Sequence, residues 1–201
     1  MKRIFTILLL ALLVFTLRAC DNNNSKSNTI SVVELTEREN AILATTTDMS
    51  FVFDFNIDSE YKKASIWVEK YQSGKLVDDK INKITTEVVG NGSIIFATSK
   101  KGDSQKQLTF NIGISSNGNT GSISGSDAIS NGLDNMLSVG GNFQGGNTPI
   151  EGEVVLASIC YSNSESGISS LTSDFYKDVD GHMNELELYN VVYLIKTEFM
   201  K

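Results

Sequence analysis

Chemistry that depends on imidazole or thiolate has little to work with in this chain. His182 is its one histidine, and Cys20 and Cys160 are its two cysteines. With Cys20 set aside for the reason given below, Cys160 and His182 are the one nucleophilic pair available to a Ser-His-Asp or Cys-His arrangement. Neither sits in a recognisable catalytic motif. Cys160 falls on a predicted strand with two partly apolar faces, the setting of a structural thiol. His182 follows Gly181 in a polar turn and is expected to meet solvent. One histidine and one spare thiol also exclude the usual zinc ligand sets. Basic residues are scarce too: none occurs between Lys106 and Lys177, a stretch that holds Asp127, Asp134, Glu151, Glu153, Glu165 and Asp174. The whole chain has 24 acidic residues against 17 basic ones, a formal net charge of −7. That balance argues against nucleic acid, and against anionic head groups held by a basic patch. No glycine-rich run has the order of a phosphate loop.

What the chain does have begins at its first residues. Lys2 and Arg3 precede an apolar run from Ile4 to Leu17, broken only by Thr6 and Thr16. The run has the form of a secretory signal and is shorter than the roughly 20 apolar residues of a spanning helix. It ends in Leu17-Arg18-Ala19-Cys20, which resembles the bacterial lipobox: an aliphatic residue, a variable position, a small residue, then cysteine. Arg18 departs from that pattern, which usually has a small or uncharged residue there. The resemblance implies a bacterial lipoprotein precursor. In that family the cysteine, here Cys20, receives a diacylglycerol and residues 1–19 are removed as the signal peptide. Two acyl chains anchor firmly, because each buried methylene contributes about 0.8 kcal/mol. The expected location is therefore the extracytoplasmic face of the cell membrane.

Asp21 to Asn28 is wholly polar and cannot bury apolar area to offset the entropy of ordering. Residues 20–29 thus read as the lipidated cysteine and a flexible tether, and residues 30–201 as a single β-rich domain. Cleavage would remove Lys2, Arg3 and Arg18, taking the net charge from −7 to −10. A lipidated Cys20 leaves Cys160 unpaired, so the domain holds together without an internal disulfide.

Phe51 to Ile57 is the strongest strand, with Phe51, Phe53, Phe55 and Ile57 on one face and Asp54 and Asn56 on the other. Ala64 to Tyr71, the turn Gln72-Ser73-Gly74 and the return from Lys75 read as a hairpin. Further strands are predicted at Ser93–Thr98, Gln107–Ser115, Glu153–Tyr161 and Leu188–Phe199, the last of them central in its sheet. Thr36 and Glu39 have capping-box spacing and open a helix from Glu37 to Ala44. Ser126 would cap a second helix carrying Ile129, Leu133, Met136 and Leu137, ended by Gly140-Gly141. Ile168, Leu171, Phe175 and Val179 recur at helical spacing and define a third, which Gly181 would end. Ser115–Ser126 and Gly140–Asn147 are rich in Gly, Ser and Asn and read as loops. Short strands, Gly-rich connections and one isolated Pro149 predict a mainly β, antiparallel, sandwich-like fold with two or three short peripheral helices.

Phe51–Ile57, Trp67-Val68-Glu69-Lys70-Tyr71 and Gly74-Lys75-Leu76 resemble uncharacterised lipoproteins of bacilli. That resemblance implies a shared fold and location, and no activity.

Three residue groups could carry chemistry. Glu151 and Glu153 lie two apart at a strand start, which would put both on one face as a candidate glycosidic acid and base. Asp178-Val179-Asp180-Gly181, with Asn184 and Glu185, offers the oxygen ligands calcium favours, but not the EF-hand spacing; Asp-x-Asp-Gly is also common in plain turns. Trp67 and Tyr71 share a strand face with Glu69 and could form a ligand platform or simply pack under a loop. None of these is assigned a catalytic, cofactor or metal role, and the one site residue assigned is the lipidated Cys20. The leading expectation is a membrane-tethered binding or structural module for an envelope ligand or protein, working without catalysis or cofactor. The runner-up is a small envelope hydrolase using Glu151, Glu153, Asp178 and Asp180. A third reading is a calcium-dependent adhesin-like domain.

Overall fold

The computed structural model describes residues 28–100, 107–128 and 133–201. The signal segment, Cys20 and the tether up to Ser27 lie outside the described residues, as do Ile129 to Gly132 of the second expected helix. Among the described residues, no helix is long and apolar enough to cross a membrane.

Among the described residues, eleven strands form two antiparallel sheets facing one another. The first sheet holds β1 (Thr29–Val32), β2 (Thr47–Asn56), β5 (Asn91–Ser99), β6 (Gln107–Ser116), β7 (Asn119–Ala128) and β9 (Thr148–Pro149), in the order β7-β6-β5-β2-β1-β9. The second holds β3 (Lys63–Gln72), β4 (Lys75–Glu87), β8 (Leu137–Asn142), β10 (Glu153–Ser162) and β11 (Val191–Met200), in the order β4-β3-β11-β10-β8. β11 is central, as its run of Val, Tyr and Ile predicts. Alternation sets the inner faces: Phe53 and Phe55 of β2, Ile94 and Phe96 of β5, and Phe110, Ile112 and Ile114 of β6 meet Ile66 and Val68 of β3, Ile159 of β10, and Tyr193 and Ile195 of β11. Edge contacts between aromatic rings tie the layers, with Phe110 against Tyr193 at 5.1 Å and Phe55 against Phe199 at 5.1 Å between centroids.

The central strands of the five-stranded sheet, β3, β11 and β10, are buried on both faces. A second apolar cluster covers their outer side, where Cys160, Val192 and Leu194 pack against Leu171, Phe175, Leu186 and Tyr189 of the covering segment. That segment contains the short helix α2 (Ser173–Lys177) and a 3₁₀ run from Asp180 to Leu188.

The helix α1 (Glu37–Thr46) has the expected capping box: Thr36 accepts from the Glu39 amide and Glu39 accepts from the Thr36 amide. It buries no side chain. The third expected helix shortens to α2, capped by Thr172. Ile168 and Leu171 precede α2 in irregular chain, and Gly181 lies within the 3₁₀ run that follows. Leu188 ends that run, so the final strand starts three residues later than expected.

Three expectations are corrected outright. The stretch Ser115–Ser126 is a hairpin, with Asn117 and Gly118 at φ +49° and +76° as its two-residue turn between β6 and β7. β7 lacks an apolar face because it packs too closely for one. A Cβ on Gly125 would stand 2.5 Å from Asn82 Oδ1, and one on Gly121 would touch Ile84 and Thr86. Second, Gly140–Asn142 belongs to strand β8, where a Cβ on Gly140 would press on the Phe51 ring at 2.9 Å. Third, the helix from Ser126 is replaced by the end of β7 and one 3₁₀ turn, Leu133–Asn135, before Leu137 opens β8. The tether reading also runs slightly long: Thr29 is buried and paired with Asn56 and Pro149.

Candidate functional site

The carboxylates singled out by sequence converge on the outer side of the five-stranded sheet. Glu151, Glu153, Asp178 and Asp180 line one open cleft of about 440 Å³, with Tyr176, Lys177 and Lys196 among its other walls. Glu153 opens β10, Glu151 lies just before it, and the chain following α2 supplies the others. Glu151 stands outside the strand, because Gly152 at φ +66° breaks the alternation that would place it beside Glu153 on one strand face.

Lys196 of β11 forms the floor. Its ammonium donates to Glu69 Oε1 at 3.0 Å and to Glu153 Oε2 at 2.9 Å. Burial alone would pull its pKa down, but the bonds to Glu153 and Glu69 outweigh burial and hold it above the ordinary lysine value. Beneath it, Glu69 also accepts from Trp67 Nε1 at 3.3 Å and from Tyr71 Oη at 2.8 Å. Burial raises the Tyr71 phenol above its usual value, and the bond to Glu69 raises it further. Trp67 and Tyr71 are themselves buried, and the Lys83 ammonium sits 5.0 Å from the Trp67 ring centroid. The aromatic pair is packing that holds a buried carboxylate. It offers no platform to a ligand.

A carboxyl acting as general acid at neutral pH is kept protonated by burial or by a like charge. Here Glu151, Glu153, Asp178 and Asp180 are all exposed. Two of them already have structural duties: Glu153 pairs with Lys196, and Asp178 Oδ1 accepts from the Gly181 amide at 3.0 Å. Such a cleft suits ionic contact better than acid–base chemistry. Glu185, another of the oxygen ligands named for calcium, is similarly committed. Glu185 accepts from the Thr172 amide and hydroxyl at 3.0 and 2.6 Å, which ties the start of α2 to the 3₁₀ run. Among the described residues, no three His, Cys, Asp or Glu side chains are grouped as a metal site would need.

Cys160 and His182 keep separate partners. Cys160 is fully buried, with its thiol 3.9 Å from Ser158 Oγ, and burial pushes its pKa up to about 11. His182 Nδ1 lies 2.9 Å from the Asp178 carbonyl oxygen on a partly exposed turn. The thiol is structural.

Sequence reading missed a second concavity, on the outer face of the six-stranded sheet. It measures about 480 Å³, and Ser31, Asp54, Asn56, Ser93, Ser115, Asn117 and Asn147 are among its lining residues. Two Asn-Gly pairs, Asn91-Gly92 and Asn117-Gly118, bound it, and the second is the hairpin signal that could have located it.

The chain matches no curated protein and no solved structure. A family model described as the YgaN domain matches residues 29–199, a span from the first strand almost to the end of the last, and the chain belongs to that family.

Proposed function

We propose that the chain is a lipoprotein of the cell envelope, anchored at the extracytoplasmic face of the cell membrane through Cys20, whose domain binds without catalysing. The anchor rests on Leu17-Arg18-Ala19-Cys20 following a charged start and an apolar run of signal length. Binding in preference to catalysis is supported by the open cleft, where two of the four exposed carboxylates are tied, Glu153 to Lys196 and Asp178 to the Gly181 amide. The acidic balance of the mature chain fits a partner other than nucleic acid.

The test of the anchor is Cys20→Ala in living cells, followed by fractionation and labelling with a radioactive fatty acid. Loss of label, with protein released to the medium or left unprocessed, is the expected result. Membrane attachment that persists with the signal cleaved overturns the proposal. A small hydrolase is the second reading, favoured by the gathering of Glu151, Glu153, Asp178 and Asp180 around one cleft. Glycan-cleaving activity lost in both Glu151→Gln and Asp180→Asn would establish it over the binder.

A further inference from the structure

The concavity on the six-stranded sheet differs chemically from the acidic cleft. Its floor is the outward row of β1, β2, β5 and β6, where Ser31 faces Asp54, and Ser93 lies between Asp54 and Ser115. Asn117 at the hairpin tip and Asn147 ahead of β9 also line it. No Lys or Arg lines it, and Asp54 is its one ionisable side chain. An anion would find no counter-charge there, and a cation only one carboxylate.

Unused hydrogen-bonding capacity is the second observation. Asp54 Oδ1 accepts from Ser93 at 2.6 Å, which leaves its other oxygen open. Ser115 accepts from Thr120 at 3.1 Å. The side chains of Ser31, Asn56, Asn91, Asn117 and Asn147 bond to nothing among the described residues. Each amide provides two donors and a carbonyl acceptor, and each hydroxyl both donates and accepts. The volume, about 480 Å³, falls within the range of small-ligand sites, roughly 300–1,000 Å³. Apolar lining is scant, since Phe55 is buried beneath the floor.

We propose that this concavity binds a neutral, polyhydroxylated ligand, an oligosaccharide, through the Asn117 and Asn147 amides, the Ser31 hydroxyl and the free oxygen of Asp54. Sugar hydroxyls both donate and accept, as the amides and hydroxyls of this lining do, and a carboxylate oxygen accepts from two of them at once. The inference rests on reading the domain as a binding module, and it names the class of ligand.

The experiment is calorimetric titration of the full chain, in zwitterionic phosphocholine micelles, with three tetrasaccharides: a β-linked N-acetylglucosamine oligomer, an α-linked glucose oligomer and a uronic-acid oligomer. Saturable binding of at least one neutral probe is expected, with the anionic probe at least tenfold weaker. Asp54→Ala and Asn117→Ala should each weaken the neutral probe fivefold or more. Glu151→Gln, in the other cleft, should leave its affinity unchanged. Failure of both neutral probes to bind, or binding indifferent to Asp54→Ala and Asn117→Ala, overturns the inference and leaves the anchored-binder reading standing. Chromatography of the recovered probe separates the two: cleaved oligosaccharide would overturn the reading of a binder itself.

Discussion

Lys70 on β3 and Asp127 on β7 join the two sheets through one ion pair, Nζ to Oδ2 at 2.5 Å, with their side chains only 11 % and 18 % exposed. The same Asp127 oxygen accepts from Tyr193 Oη at 2.7 Å. A charge placed among core-facing residues is tolerated only with its partner in place. Asp127→Ala strips Lys70 of its counter-ion and Tyr193 of its acceptor, at an expected cost of about 3–5 kcal/mol. At roughly 2–4 °C per kcal/mol for a domain of this size, the melting temperature should fall by about 10 °C. The apolar pair Lys70→Met with Asp127→Leu should recover most of that loss. A melting curve for Asp127→Ala within a degree or two of the parent would show that the pair carries no such weight.

Gly125 should be intolerant for a reason that a second substitution can expose. Its missing Cβ makes room for Asn82, which sits at φ +55° and donates to the Phe110 carbonyl at 2.9 Å. Overpacking by one methyl in such a place costs about 1–3 kcal/mol. Asn82→Gly keeps the left-handed backbone and removes the obstructing side chain. Urea unfolding should therefore show Gly125→Ala to be less damaging in the Asn82→Gly background than alone. Equal cost in both backgrounds would place the strain elsewhere.

Alkaline pH should weaken the fold before acid does at these positions. Burial holds the Cys160 thiol and the Tyr161 phenol protonated up to about 11 and about 12, above their ordinary values of 9 and 10. The unfolded chain gives up both protons earlier, so it binds fewer protons than the native state across this window and stability falls as pH rises. Below pH 9 the contribution is fully present. Melting temperatures taken from pH 8 to 11 should decline steadily. Native protein should resist a thiol reagent at pH 8 until urea unfolds it; rapid labelling of Cys160 in the native state would contradict its placement.

Calcium should leave the melting temperature unchanged. Asp178 and Glu185 are occupied with the amides of Gly181 and Thr172, and taking them as ligands would uncap the chain around α2. Thr172→Ala keeps that amide but removes the hydroxyl's bond to Glu185 and the α2 cap, and should cost about 1 kcal/mol with or without the ion. A rise of several degrees on adding calcium would restore the adhesin-like reading.

Strands with alternating apolar residues were legible from sequence because half-buried strands must alternate; Phe51–Ile57 and the Gln107–Ser115 run show it. β7 was not, since its inward positions Gly121 and Gly125 are emptied by the approach of β4, and absence of side chains reads as loop. Residue types around the acidic cleft were legible one by one. Their convergence was not, because Glu151 and Asp178 are brought together by the covering segment crossing the sheet, and no local pattern records that crossing. The neutral concavity was harder still. Ser and Asn on an outward strand face carry the same signal whether they meet water or a ligand.

Asn28, one residue ahead of β1, clamps the start of the first sheet to two distant segments of the domain. Its side chain bonds both ways with Asp58, donating to Oδ2 at 2.6 Å and accepting from the amide at 2.9 Å, while its carbonyl accepts from the Ile150 amide at 2.8 Å. Tension applied to the chain ahead of β1 would meet these three bonds before the β1 ladder and Ile30 in the core. Asn28 is thus a strain relief, and a pulling experiment on Asn28→Ala should find the first rupture at lower force.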